Sequence, residues 1–96
     1  MRGGYTYIIT NKPFGILYVG VTADIAERIF AHREGRGSAF CRKWDLRRLV
    51  LIEPHATIEE AIVREKALKN WYRAWKLRLI SETNPAWDDL FETLNA

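Results

Sequence analysis

The sequence predicts an α+β fold, a small three-stranded antiparallel sheet flanked by helices, in the order ββαβα with helical pieces at the C-terminal end. Three observations carry that expectation. Short strand-like runs recur at 5–10, 16–20 and 47–53, the first rich in aromatic and β-branched residues and the first two on either side of turn-forming residues. Two helical patterns each open on capping-box spacing, Asp24 with Glu27 and Thr57 with Glu60. The chain has 96 residues, which suits one domain spanning 1–96 and leaves two without adequate cores.

Tyr5–Thr10 alternates and reads as a strand, Asn11 to Gly15 as a turn, and Ile16–Gly20 as the second arm of a hairpin. Thr22 or Asp24 caps a helix that runs to about Glu34 and ends before Gly35-Arg36-Gly37. Ser38–Trp44 is a short helical or irregular piece, and Arg47–Glu53 a third strand stopped by Pro54. The capping box at Thr57 opens a long helix reaching about Trp75. Leu77–Ile80 fits either a short helix or a strand, and Asn84-Pro85 is placed to start a terminal helix.

Composition removes several classes of protein. With 48% hydrophobic and 28% charged residues the chain has the makings of a core, unlike a disordered segment. No apolar run approaches the ~20 residues of a membrane helix, and MRGGYTYIIT lacks the apolar stretch of a secretory signal. Cys41 is the single cysteine, so a disulfide framework and a cysteine-cluster zinc site are both excluded, and a cytoplasmic location is expected. The net charge of +3 is unevenly spread. Arg28 to Arg78 holds thirteen Lys or Arg against six acids, whereas Glu82 to Glu92 holds four acids and no base. A basic middle suits a polyanion, of which nucleic acid is the commonest.

Two helices carry polar groups where apolar ones belong. The stripe Ile58, Ala61, Ile62, Leu68, Tyr72 and Trp75 marks the inner face of the long helix, and Glu65 sits within it. A buried carboxylate must be paired or bound to metal, so Glu65 is either salt-bridged to a nearby Arg or a metal ligand or acid/base group. Arg28 and His32 share the inner face of the first helix with Ile25 and Ile29, one turn apart and able to converge. Tyr5 and Tyr7 share a face of the first strand and Tyr18 lies in its partner, where Gly20 leaves room for a close approach. His55, in the loop after Pro54, takes no role. With no Ser-His-Asp set and no phosphate-cradling glycine loop, this inventory suits metal-assisted phosphodiester chemistry. A carboxylate would hold a hard cation, an Arg would grip phosphate, and a Tyr or His would act on water.

The spacing of these residues resembles the paired motif of the GIY-YIG nuclease family. Tyr5-Thr6-Tyr7 is followed after ten residues by Tyr18-Val19-Gly20; then come Arg28, His32, Glu65 within Val63-Arg64-Glu65-Lys66, and Asn84 before Pro85. The likeness runs from about Tyr5 to Leu90, and the C-terminal part is most similar to the small single-domain bacterial branch. The resemblance implies a DNA endonuclease using Mg²⁺ or Mn²⁺, with Glu65 on the metal, Arg28 on the scissile phosphate, Tyr7 or Tyr18 as base or water-orienting group, and His32 and Asn84 completing the site. Tyr5 stands where the family usually has Gly.

Larger members of that family carry separate DNA-binding domains. Here affinity is expected from Arg33, Arg36, Arg42, Lys43, Arg47, Arg48, Lys69 and Arg73, which would contact phosphates without reading sequence. Branched, nicked or single-stranded DNA is therefore the expected substrate, in repair or processing. The rival readings are a nucleic-acid-binding module with little or no catalysis, and a subunit that meets a protein partner through exposed rings such as Trp71 or Trp87.

Overall fold

The computed structural model describes residues 3–95; residues 1, 2 and 96, the ends of the expected domain, lie outside the described residues. Its elements are β1 (Gly4–Thr10), β2 (Leu17–Thr22), α1 (Ile25–Arg33), α2 (Ala39–Trp44), β3 (Arg48–His55), α3 (Ile58–Lys69) and α4 (Arg73–Thr83), followed by a 3₁₀ helix, Leu90–Asn95. The sheet is antiparallel with β1 in the centre, in the order β2-β1-β3. This is the α+β architecture the sequence predicts.

Strand alternation sends β1 residues into two layers. Tyr7 and Ile9 pack with Ile25 and Ile29 of α1, Cys41 of α2, Leu46 and Leu49. Ile8 faces the other way and packs with Val19, Leu51, Leu68 of α3, Ile80 of α4 and Trp87. A bulge keeps β3 in step with both layers: Ile8 pairs with Leu51 and Ile9 with Leu49, so Val50 is the extra residue. Thr6, in the Ile8 layer, donates to the Ala61 carbonyl at 3.0 Å and shares a second 3.0 Å hydrogen bond with His55 Nε2. His55 thereby helps clamp β3 and α3 onto β1.

The caps behave as their residue types demand. Asp24 accepts from the Glu27 amide, Ser38 from Cys41, and Thr57 from Glu60. Thr22 also serves, its hydroxyl accepting from the Asp24 amide at 3.1 Å. Ser38–Trp44 resolves as a helix, and Leu77–Ile80 lies inside α4.

Four expectations are corrected. The long helix does not reach Trp75. It ends at Lys69, where Asn70 caps it and donates its side-chain amide to the Lys66 carbonyl, and Tyr72 starts α4 from extended backbone. As a result Tyr72 and Trp75 leave the core face and are exposed. Pro54 does not stop β3; it pairs with Tyr5 inside the strand, tolerated because β3 is an edge with one side unpaired. Asn84-Pro85 opens a turn and not a helix, for Asn84 closes α4 by donating its backbone N–H to the Ile80 carbonyl. Trp87 is not an exposed ring: it is 1% exposed, and its indole N–H donates to Ser81.

Candidate active site

The centre of the site is a buried pair. Tyr7 points from the middle of β1 toward α1, where its hydroxyl lies 3.0 Å from His32 Nε2. Both residues are buried. Burial pushes the Tyr7 phenol up to about 12, against the pull of the Arg28 guanidinium. Burial, and then Arg28, hold the His32 imidazole below its ordinary value. The pair is therefore neutral at pH 7. His32 Nδ1 is buried without a hydrogen-bond partner among the described residues.

Two glycines make this packing feasible. Gly20 sits opposite Tyr7 in the β1–β2 register, and a Cβ there would lie 2.4 Å from the Tyr7 ring and hydroxyl. The close neighbour at Gly20 is thus the tyrosine itself. A Cβ at Gly37 would lie 2.1 Å from His32 Nδ1, a second requirement that the sequence reading missed. The Gly35-Arg36-Gly37 run was its visible signal, read only as a helix terminator.

Next to the pair lies an open cleft of about 420 Å³, lined among others by Tyr18, Arg28, His32, Arg36 and Ser38. Tyr18 comes from β2, its ring 5.9 Å from that of His32 and edge-on to it. Unlike Tyr7 it is partly exposed, so it is the phenol that faces the cleft. Phe40 stacks on Tyr18 from α2 at 6.3 Å. Arg28 makes no ion pair with a carboxylate among the described residues; its guanidinium lies beside the Tyr7 hydroxyl, and Glu27 lines the same cleft.

Glu65 lies on α3, buried at 8% exposure as the stripe requires. Its ion partner is Lys69 at 2.5 Å, not an Arg; Arg64 is taken by Glu53 in a two-point contact of 2.7 and 3.0 Å. The Glu65–Lys69 spacing of four residues was the sequence signal for this pair. Lys69 is held above its ordinary value by its hydrogen bond to Glu65, and Tyr18 contributes to that shift. Tyr18, on the free edge of the sheet, thus lines the Arg28 cleft and acts electrostatically on Lys69. No cluster of three or more His, Cys, Asp or Glu suited to a metal occurs among the described residues. One buried carboxylate nevertheless fits a hard divalent cation that takes its other ligands from water and phosphate oxygens.

Asn84 is placed elsewhere. It is buried against β3, donating to the Val50 and Asp88 carbonyls at 3.2 and 2.9 Å and accepting from the Asp88 amide at 3.0 Å. β3 and β2 are separated by β1, so roughly 10 Å of sheet lies between Asn84 and the Tyr18 edge.

The eight basic residues expected to contact phosphate already have partners in the fold. Arg33 binds Asp89 at 2.6 Å and lies over Phe91; Arg36 binds Glu34, Arg47 binds Asp45, and Lys69 binds Glu65. Arg48 donates to the Trp87 carbonyl, Arg73 to those of Phe14 and Gly15, and Arg42 to that of Gly35, while Lys43 sits over Trp44. The pairs exposed on both sides, Arg36–Glu34 and Arg47–Asp45, are weak and exchange readily for phosphate. Arg33 is the most firmly tied: Asp89 is held below the usual carboxylate range, burial being outweighed by Arg33 and by the Phe91 and Leu49 amides.

The three-stranded sheet thus brings its central Tyr to a helix-borne His, with Tyr, Arg and Glu on adjoining elements. The profile of the GIY-YIG catalytic domain matches residues 3–78, and the chain belongs to that family of nucleases. It is similar to UPF0213 protein SSP2268 of Staphylococcus saprophyticus, 40% identical over 78 residues, covering 81% of this chain and 94% of that protein. It is also 34% identical over 82 residues to a UPF0213 protein of Staphylococcus aureus strain Mu3, covering 85% of this chain and 99% of the relative. No solved structure matches. No helix among the described residues is long and apolar enough to cross a membrane.

Proposed function

We propose that this protein is a Mg²⁺- or Mn²⁺-dependent endonuclease that hydrolyses DNA phosphodiester bonds according to DNA structure, not sequence, in repair or processing in the cytoplasm. The observation that carries the reading is the Arg28 guanidinium, in no ion pair among the described residues, in a cleft shared with Tyr18 and backed by the buried Tyr7–His32 pair. Arg28 grips non-bridging oxygens of the scissile phosphate. Tyr18, the phenol open to the cleft, orients the attacking water through its hydroxyl oxygen. Tyr7 is poorly suited to that task, being buried, hydrogen-bonded and raised to about 12. Its part is to hold the imidazole behind Arg28. Glu65 would hold the cation, which would supply neutralisation of charge developing on the leaving oxygen. Asn84 acts through the scaffold, fixing the α4 terminus to β3. The surface cations supply affinity for branched, nicked or single-stranded DNA by exchanging their present partners for phosphates.

The second reading, a binding module with little or no catalysis, draws support from Lys69, which already neutralises Glu65. A panel of single-stranded, nicked, branched and duplex DNA with Mg²⁺ and with Mn²⁺ separates the two. The wild type is expected to release product, and Glu65→Gln, nearly the same shape without the charge, to lose at least about a hundredfold in rate per folded molecule, as when a single charge-stabilising group is removed, with thermal unfolding measured alongside to account for the lost Glu65–Lys69 pair. Full activity in Glu65→Gln would refute the site assignment, and retention of DNA without product by the wild type would favour the module.

A further inference from the structure

We infer that the aromatic cleft at the α3–α4 junction is a second nucleic-acid site, one that takes an unpaired strand with its bases stacked on Trp75 and Tyr72. It rests on the nuclease reading for the choice of DNA as ligand, and extends the site beyond the groups that act on the phosphate.

The break at Asn70 turns two rings outward. Tyr72 is 72% and Trp75 46% exposed, a substantial apolar area to leave in water. The rings are ordered relative to one another: Trp71 and Trp75 are 6.0 Å apart at 78°, and Tyr72 and Trp75 4.9 Å apart at 86°. Trp71 is braced from behind, with the Arg64 guanidinium 5.0 Å from its ring centre and Arg64 itself gripped by Glu53. The result is a preformed cleft of about 250 Å³ between Trp71 and Trp75, with Arg78, Leu79 and Glu82 as its remaining walls.

Charge selects the occupant. From Lys66 to Ser81 the chain carries five cations, Lys66, Lys69, Arg73, Lys76 and Arg78, and no carboxylate. Exposed rings interleaved with cations form a stacking platform for a polyanion whose bases are free, and in a duplex those base faces are already covered. Of these cations Arg78 lines the cleft, and an apolar protein segment seated there would have to desolvate it. Glu82 repels phosphate, which directs the backbone to the Arg78 side of the cleft; its oxygens suit an N–H donor on the edge of a base, such as thymine N3–H. Lys69, the partner of Glu65, is two residues before Trp71, so the cleft follows directly in sequence on the end of α3 that carries the candidate metal ligand.

The test is fluorescence anisotropy with chelator present, so that binding is read without cleavage. Three labelled probes are titrated: a short oligothymidine, an abasic strand with the same number of phosphates, and a blunt hairpin duplex. The wild type should prefer oligothymidine. Trp75→Ala should weaken that complex about tenfold or more while leaving the other two within about twofold, and Trp75→Phe should restore most of the loss. Equal loss on all three probes, an unchanged oligothymidine complex, or wild-type binding of the abasic strand as tight as that of oligothymidine would each overturn the inference. So would self-association of the wild type in sedimentation that Trp75→Ala abolishes, which would mark the rings as covered by a second copy. Cleavage with Mg²⁺ is scored separately. Product formation with an indifferent Trp75→Ala would sink this inference alone, and selective loss of binding in a protein that never cuts would sink the nuclease reading alone.

Discussion

Tyr7 illustrates how a single side chain is set by its neighbours. Its place on an alternating strand was legible from sequence, but its partner was not, because His32 lies 25 residues away and meets it only when α1 folds onto the sheet. Gly20 was legible as a position of close approach; that the approaching group is the Tyr7 phenol follows from the β1–β2 register. Substituting Gly20→Ala places a methyl where the Tyr7 ring stands, and overpacking of this kind costs about 1–3 kcal/mol. Chemical denaturation should show that loss, and a variant as stable as the wild type would mean that Tyr7 has room to move. Glu65 was recognisable from sequence because a carboxylate in an apolar stripe breaks a pattern. Lys69 was harder to single out, since an i,i+4 pair on an exposed turn is common.

At the scale of elements, periodicity failed where a local cap overrode it. Residues 58–75 keep a nearly continuous apolar stripe, yet the helix stops at Lys69 because Asn70 satisfies the Lys66 carbonyl and Trp71 is drawn against Arg64. Hydrophobic pattern reports which side chains favour burial, whereas a helix end is decided by who satisfies its last carbonyls. Asn84 shows the converse. Read as the start of a helix, it closes one, and its amide joins α4 to the bulge residue Val50. Asn84→Ala leaves buried backbone groups unpaired and should lower stability by about 1–3 kcal/mol. Turnover per folded molecule, measured well below the unfolding midpoint, should stay close to the wild-type value; a large loss there would assign Asn84 to the chemistry.

The whole molecule records its buried groups in the pH dependence of stability. His32 has a folded pKa below its unfolded value near 6.5, so the unfolded chain takes up a proton first as pH falls. Its contribution is complete above about 6.5 and is lost as pH drops below that. Asp89 acts in the same direction lower down, its stabilisation disappearing as pH falls below the ordinary carboxylate range. Tyr7 has the opposite sign: the unfolded phenol ionises from about 10, the folded one at about 12, and stability declines between them. Melting temperatures from pH 4 to 11 should therefore fall at both ends, the acid step shrinking in His32→Gln and the alkaline step in Tyr7→Phe. Profiles unchanged in those variants would place the titration elsewhere.

The amino-acid sequence determined the strands, the capped helix starts, the stranded Glu65 and the family, because alternation, capping and motif spacing are local and survive without knowledge of contacts. Tertiary structure decided the rest. It closed Tyr7 onto His32, turned Tyr18 and not Tyr7 toward the cleft, assigned Lys69 to Glu65, moved Asn84 to the far edge of the sheet and released Trp75 to the surface. Each of those outcomes depends on which faces meet across long stretches of chain, and a single residue of register or one helix cap reverses them.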